Sequence, residues 1–195
     1  VSVARKPRAD GQRNRERLLE VAKAAFADVG PDVSLEEIAR RAGVGIGTLY
    51  RHFPTREALV EAVYRREFEQ LAAAAERLMA SETPGEALRE WMRLMVDYIA
   101  AKKVIASALG SMVGGVSALY ANAGAQITEA MSQLMARAAA SGDIRDDVDP
   151  ADLLRGLVGF TYGAAAPGWR ESTLRLVDIL MDGLKPQVRD PKPGT

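Results

Sequence analysis

The chain of 195 residues has no cysteine and a single histidine, and aromatic residues make up only 6% of it. Without thiols there is neither a disulfide framework nor a thiolate metal site, which points to a cytoplasmic protein. No run of about 18 apolar residues is present to span a membrane, and no apolar leader opens the chain, so a secreted or membrane-anchored protein is not expected. The lone histidine, His52, would have to serve any Ser-His-Asp arrangement, and no nucleophile-elbow sequence accompanies it. Glycine-rich Gly110 to Gly115 lacks the Lys-Ser/Thr ending of a phosphate loop and follows no predicted strand. The acids Asp143, Asp146, Asp147, Asp149 and Asp152 do not keep EF-hand spacing, and Asp149 and Asp152 already read as a helix start. The chain therefore reads as a non-enzyme with no cofactor and no metal.

What is present is helix. Hydrophobic residues make up 48% of the chain, enough for a substantial core, and their spacing is helical throughout, so an all-α fold of about nine helices is predicted. A first helix runs from about Gly11 to Val29, with Leu18, Ala22, Ala25 and Phe26 on one stripe and Gly30-Pro31 as its stop; residues 1 to 9 are expected to be disordered. Ser34 and Glu37 form an S-x-x-E capping box, in which the Ser hydroxyl accepts from the N3 amide and the Glu side chain returns to the cap amide. Leu35, Ile38, Ala39 and Ala42 then share a face, and Gly43 can take the left-handed conformation that ends the helix. An apolar residue inside the next turn, Val44, makes sense as a plug between two helices at an angle. In the following helix, Ile46 to Phe53, Leu49 and Phe53 face inward. Gly47, Thr48, Tyr50, Arg51 and His52 remain outside, a small, hydroxylated, aromatic and cationic face suited to a DNA groove.

Net charge is zero, but it is unevenly distributed. Residues 1 to 66 hold 13 cations against 9 anions and residues 67 to 195 hold 13 against 17. The basic part carries the helix-turn-helix pattern. Arg5, Lys6, Arg8, Arg13, Arg15 and Arg17 precede or open the first helix, where they could neutralise phosphates.

Ser34, Ile38-Ala39, Ala42-Gly43-Val44, Gly47-Thr48-Leu49-Tyr50, His52-Phe53 and Arg56-Glu57-Ala58-Leu59 together resemble the TetR family of bacterial repressors, a likeness covering roughly residues 12 to 65. The resemblance implies a three-helix DNA-binding head followed by a helical ligand-binding and dimerisation domain. It also implies DNA contacts by Ser34, Gly47, Thr48, Tyr50, His52 and Arg56, which Arg51 joins from its exposed place on the same helix. Two positions depart from the family pattern, Gly45 where Ser is common and Arg56 where Lys is common. Glycine remains an acceptable N-cap and arginine keeps the phosphate-seeking charge.

Beyond the head, Thr55 caps a long fourth helix and Thr83-Pro84-Gly85-Glu86 starts a fifth. The glycines near 110 break the pattern, an Ala-rich helix ends at Gly142, and Asp149-Pro150 opens a helix to about Ala165. A last helix runs from Arg170 to about Leu184. Trp91, Met95, Tyr98, Met112, Met131, Met135 and Phe160 are candidate lining for a ligand pocket; the plainer reading is ordinary core. Asp97, Lys102 and Lys103 are the polar handles, so a small hydrophobic effector is favoured. Gly156, Gly159 and Gly163 interrupt a good helix at spacings of three and four, which calls for close approach of another helix. That helix belongs either to the same chain or to a second copy, and the family resemblance, with its dimer built on the last two helices, favours the second.

The expected organisation is an N-terminal arm and DNA-binding domain over residues 1–54, a ligand-binding and dimerisation domain over 55–185, and a disordered tail over 186–195. The expected function is that of a homodimeric transcriptional regulator, a repressor that a small hydrophobic ligand releases from a palindromic double-stranded operator. The competing reading is a helical small-molecule-binding or scaffold protein without specific DNA binding.

Overall fold

The computed structural model describes residues 6–109, 116–161 and 168–186, and the side-chain environments of 10–102, 124–161 and 168–186 among them. Met112, Gly163, Arg5 and the glycines at 110, 114 and 115 lie outside the described residues, as do the side chains of Lys6, Arg8 and Lys103. Eight helices are described: α1 Lys6–Val29, α2 Leu35–Arg41, α3 Ile46–His52, α4 Arg56–Ser81, α5 Pro84–Leu109, α6 Val116–Ala140, α7 Pro150–Phe160 and α8 Trp169–Gly183. The fold is all-α, with no strand among the described residues. Eight are described against the roughly nine expected; α5 runs on to Leu109 and α6 starts at Val116. Helix α1 also begins five residues earlier than expected, with Pro7 in its first turn, where a missing amide proton costs nothing. Helix α7 stops at Phe160, short of Ala165, and Thr161 is its C-cap, its hydroxyl donating to the Val158 carbonyl at 2.7 Å. No helix among the described residues is long and apolar enough to cross a membrane.

The chain folds as two compact units, one comprising 1–69 with 100–119 and the other 70–99 with 120–195. In the first, α1 packs on α2 and α2 on α3. Leu18, Phe26, Ile38, Leu49 and Leu59 are sealed from solvent, each contributing about 1.5 to 3 kcal/mol by burial. Lys23 on α1 is ion-paired with the buried Glu67 on α4, and Glu16 on α1 stands 3.4 Å from Arg66. Thr55 caps α4 as expected, accepting from the Ala58 amide at 3.1 Å.

In the second unit the buried indole of Trp91 donates to the Leu71 carbonyl at 3.1 Å, tying α5 to α4. Arg93 reaches Asp178 at 2.8 Å, and Arg170 forms a two-point pair with Asp97 at 2.6 and 2.8 Å, so α5 and α8 are joined twice. The acidic loop is engaged in structure. Asp149 caps α7, accepting from the Ala151 amide at 2.7 Å, and Asp147 pairs with Arg145 at 2.6 Å.

Asp143 acts at longer range. It accepts from the Gly85 amide at 2.9 Å, capping α5 across 58 residues of sequence, and from the Ser141 hydroxyl at 2.9 Å. A methyl group at position 85 would stand 3.1 Å from Asp143 Cβ, so glycine there permits the approach. Asp143→Ala is expected to cost about 1 kcal/mol, as loss of a helix cap does, lowering the melting temperature by roughly 2 to 4 °C. An unchanged melt by circular dichroism would show that solvent serves the Gly85 amide equally well.

Candidate DNA interface and helical body

The corner between α2 and α3 is built by backbone chemistry. Helix α2 closes with Gly43 at φ +67°; its amide donates to the Arg40 carbonyl at 3.1 Å and the Val44 amide to the Ala39 carbonyl at 3.0 Å. This paired arrangement satisfies the last carbonyls of α2 and turns the chain sharply, and only glycine takes that φ without strain. Val44 sits half-buried at the corner, and Gly45 is the N-cap of α3 with no side-chain cap of its own. Leu49 and Phe53 point into the core, 0% and 2% exposed, which fixes the roll of α3. The opposite face is open: Gly47 and Arg51 are exposed, Tyr50 is 44% exposed, and Thr48 and His52 are half-buried. The structure thus brings Gly47, Thr48, Tyr50, Arg51 and His52 together on one seven-residue helix.

Two expectations change on inspection. Ser34 accepts from the Glu37 amide at 3.1 Å, as a cap should, but the Glu37 side chain does not return to the cap. It takes Arg40 and Arg41 instead, with three contacts of 2.8 Å. Acid three and four residues before arginine is the favourable order along a helix, a signal present in the sequence. These bonds, first to Arg40 and then to Arg41, hold the Glu37 carboxyl down at about 2, below its ordinary 4.5. With the folded value depressed, the pairing favours the fold above the ordinary value and is lost as pH falls through about 2. By NMR, Glu37 is expected to titrate near pH 2; a midpoint at the ordinary value would show the arginines unattached.

The second change concerns Arg56. Its guanidinium donates to the Val33 carbonyl at 2.6 Å and to the Pro31 carbonyl, and stands 5.6 Å from the centroid of the Phe26 ring. Half-buried in this way, Arg56 staples the start of α4 to the α1–α2 loop, and its fork is committed inside the chain. Nothing local in the sequence distinguishes a guanidinium aimed at a phosphate from one aimed at carbonyls more than twenty residues back.

Comparison with known proteins agrees with this geometry. Residues 83–186, more than half of the chain, match the SbtR-like transcriptional regulator C-terminal domain, and residues 18–63 match the bacterial regulatory proteins of the tetR family. A TetR transcriptional regulator of Streptomyces coelicolor of solved structure is 42% identical, with a TM-score of 0.80 over 89% of this chain and 99% of its own. This chain belongs to the TetR family. It is also similar to the regulator UidR of Escherichia coli, 27% identical over 161 residues, 80% of this chain and 82% of that one. The repressor KstR of Mycolicibacterium smegmatis is 28% identical over 141 residues, 71% of this chain and 69% of its own. TetR-family proteins are transcriptional regulators with a DNA-binding helix-turn-helix, and α2, the Gly43 corner and α3 are that element here.

In the body of this TetR-family chain, Trp91 and Met131 are fully buried, Met95, Met135 and Tyr98 are at most 5% exposed, and Phe160 is half-buried. Met135 also borders an open cleft of about 190 Å³ with Ile144, Val148 and Pro150. Of the polar handles, Asp97 is taken by Arg170, and burial pulls the Lys102 ammonium below the ordinary lysine value. Gly156 is half-buried and Gly159 exposed, and a Cβ added at either would meet nothing within 4 Å. Among the described residues, close packing therefore does not explain these two glycines. Val158 on α7 and Ile179 on α8 are 37% and 65% exposed.

Proposed function

We propose that this TetR-family regulator is a homodimeric repressor, released from a palindromic operator when a small hydrophobic ligand enters the helical body. The observation that carries the reading is the outer face of α3, where Gly47, Thr48, Tyr50 and Arg51 stand together and Arg51 has no partner among the described residues. Ser34, Gly47, Thr48, Tyr50, Arg51 and His52 form the proposed contact set. Arg51 and Thr48 suit base edges, since an arginine fork matches guanine O6 and N7, and Tyr50 and His52 suit phosphates. The name of KstR as a repressor supports the sign of regulation.

In this reading residues 1–54 read DNA, 55–185 bind ligand and dimerise, and 186–195 are a tail. Two heads on a dyad add their contacts and select half-sites about 34 to 36 Å apart, or somewhat more. The open glycines Gly156 and Gly159, with Val158 exposed on α7 and Ile179 exposed on α8, support an isologous interface on these two helices. The apolar set Trp91, Met95, Tyr98, Met131, Met135 and Phe160 supports a hydrophobic effector rather than a sugar or phosphate. Helix α4 runs unbroken from one unit into the next and is the proposed transmitter. A 100-fold loss of operator affinity needs about 2.7 kcal/mol of ligand preference for the released form, within reach of one buried small molecule.

The test is selection of fragments from a random duplex library by the purified protein. Enrichment of a palindrome is expected; no enrichment would overturn the reading and favour a helical binding protein without a DNA role.

A further inference from the structure

Six cations crowd residues 5–17, and their sequence alone does not rank them. The structure separates the three whose side chains it describes. Arg13 is held by Asp10, three residues before it on α1. Arg15 lies 5.4 Å from the centroid of the Phe53 ring, with Glu16 at 3.7 Å. Arg17 has neither kind of partner among the described residues.

The contrast holds across residues 10–69. Lys23 pairs with Glu67, Arg40 and Arg41 share Glu37, Arg65 takes Glu61 and Arg66 reaches Glu16. Arg56 is spent on two carbonyls. Only Arg17 and Arg51 are exposed cations with no hydrogen-bond or ion-pair partner among the described residues of that range.

Their positions are related. A methyl group on Gly43 would stand 3.6 Å from Arg17 Nη2 and 3.9 Å from its Cζ, so the guanidinium lies against the backbone of the corner that leads into α3. Arg51 is in the last turn of α3. One unpaired guanidinium thus sits beside the entry of the reading helix and the other near its end, about 10 Å of helix further on for seven residues. A planar fork with several donors suits a phosphate better than an ammonium does, and resting on the turn reduces the freedom it has left to lose.

We infer that Arg17 is a backbone anchor of the DNA interface, donating to a phosphate oxygen beside the groove that α3 enters and holding the register in which Arg51 meets base edges. This inference rests on the reading of the head as an operator-binding surface. The experiment compares the parent protein with Arg17→Gln, Arg17→Lys and Arg13→Gln, titrated against the duplex the parent selects and against a scrambled duplex, over a range of salt.

Arg17→Gln is expected to weaken both duplexes alike, by about tenfold, and to flatten the log-log salt dependence by about one unit per subunit. Arg17→Lys should recover most of the salt slope, and Arg13→Gln should keep the parent slope. The melting temperature of Arg17→Gln should match the parent's, since no partner is lost. Parental affinity and slope in Arg17→Gln would overturn the inference, as would a loss confined to the selected duplex, which would make Arg17 a base reader. Failure of the parent to bind either duplex would overturn the reading of the head itself.

Discussion

Alanine at position 51 is expected to lower operator affinity by about 1 to 3 kcal/mol and to relax preference at one base pair, as loss of a base-reading arginine does. The neighbouring Tyr50→Ala should weaken all sequences alike, because a phenol that meets a phosphate carries no base information. Both variants should fold as the parent does. Tyr50 is 44% exposed and Arg51 fully on the surface, so neither truncation opens a cavity; Leu49 and Phe53 hold the helix from the other side. Titration of both at fixed salt against the selected palindrome and its single-base variants makes the distinction. Unchanged affinity in both would take α3 out of the interface.

Gly159→Leu is expected to break the dimer and spare the subunit. Among the described residues of one chain nothing lies within 4 Å of a Cβ at position 159, so leucine there meets no described neighbour at that point and improves the local helix propensity. Across a two-fold axis the same side chain is met twice, and overpacking costs about 1 to 3 kcal/mol for each intrusion. Sedimentation should show monomers, or dimers dissociating at much higher concentration, with helicity and melting of the isolated subunit retained. A dimer of parental affinity would move the interface away from α7. Operator binding should fall along with dimerisation, because one head alone makes half of the contacts.

Much of the head was legible from local chemistry. Ser34 before an amphipathic run, Gly43 at a helix end and Thr55 before α4 each act on residues three or four positions away, so spacing in the sequence contains the geometry. Asp149 before Pro150 is a case of the same kind in the body. What was not legible lies in competition and in distance. Glu37 had two uses open to it, the cap amide and the arginines one turn on, and charge decided. Arg56 reaches carbonyls 23 and 25 residues away and Asp143 an amide 58 residues away, and no periodicity encodes such partners. The break expected near the glycines at 110 falls between α5, which runs on to Leu109, and α6, which starts at Val116, but glycines weaken a helix without saying at which residue it ends. The glycines of α7 called for an explanation, and the open space that Gly156 and Gly159 face among the described residues gives no intramolecular one.

Gly45 and Gly47 also face open space, at the N-cap of α3 and one residue into it. Serine at the first or alanine at the second would cost the free fold nothing in sterics, and at position 47 would stiffen the helix by roughly 0.5 to 1 kcal/mol. The buried Ile38, Leu49 and Phe53 have no such latitude. Tolerance to drift and the proposed proximity to the operator therefore coincide on one short stretch. If α3 enters DNA as proposed, single substitutions at those two sites change the surface offered to the operator while the packing that supports them is inherited intact.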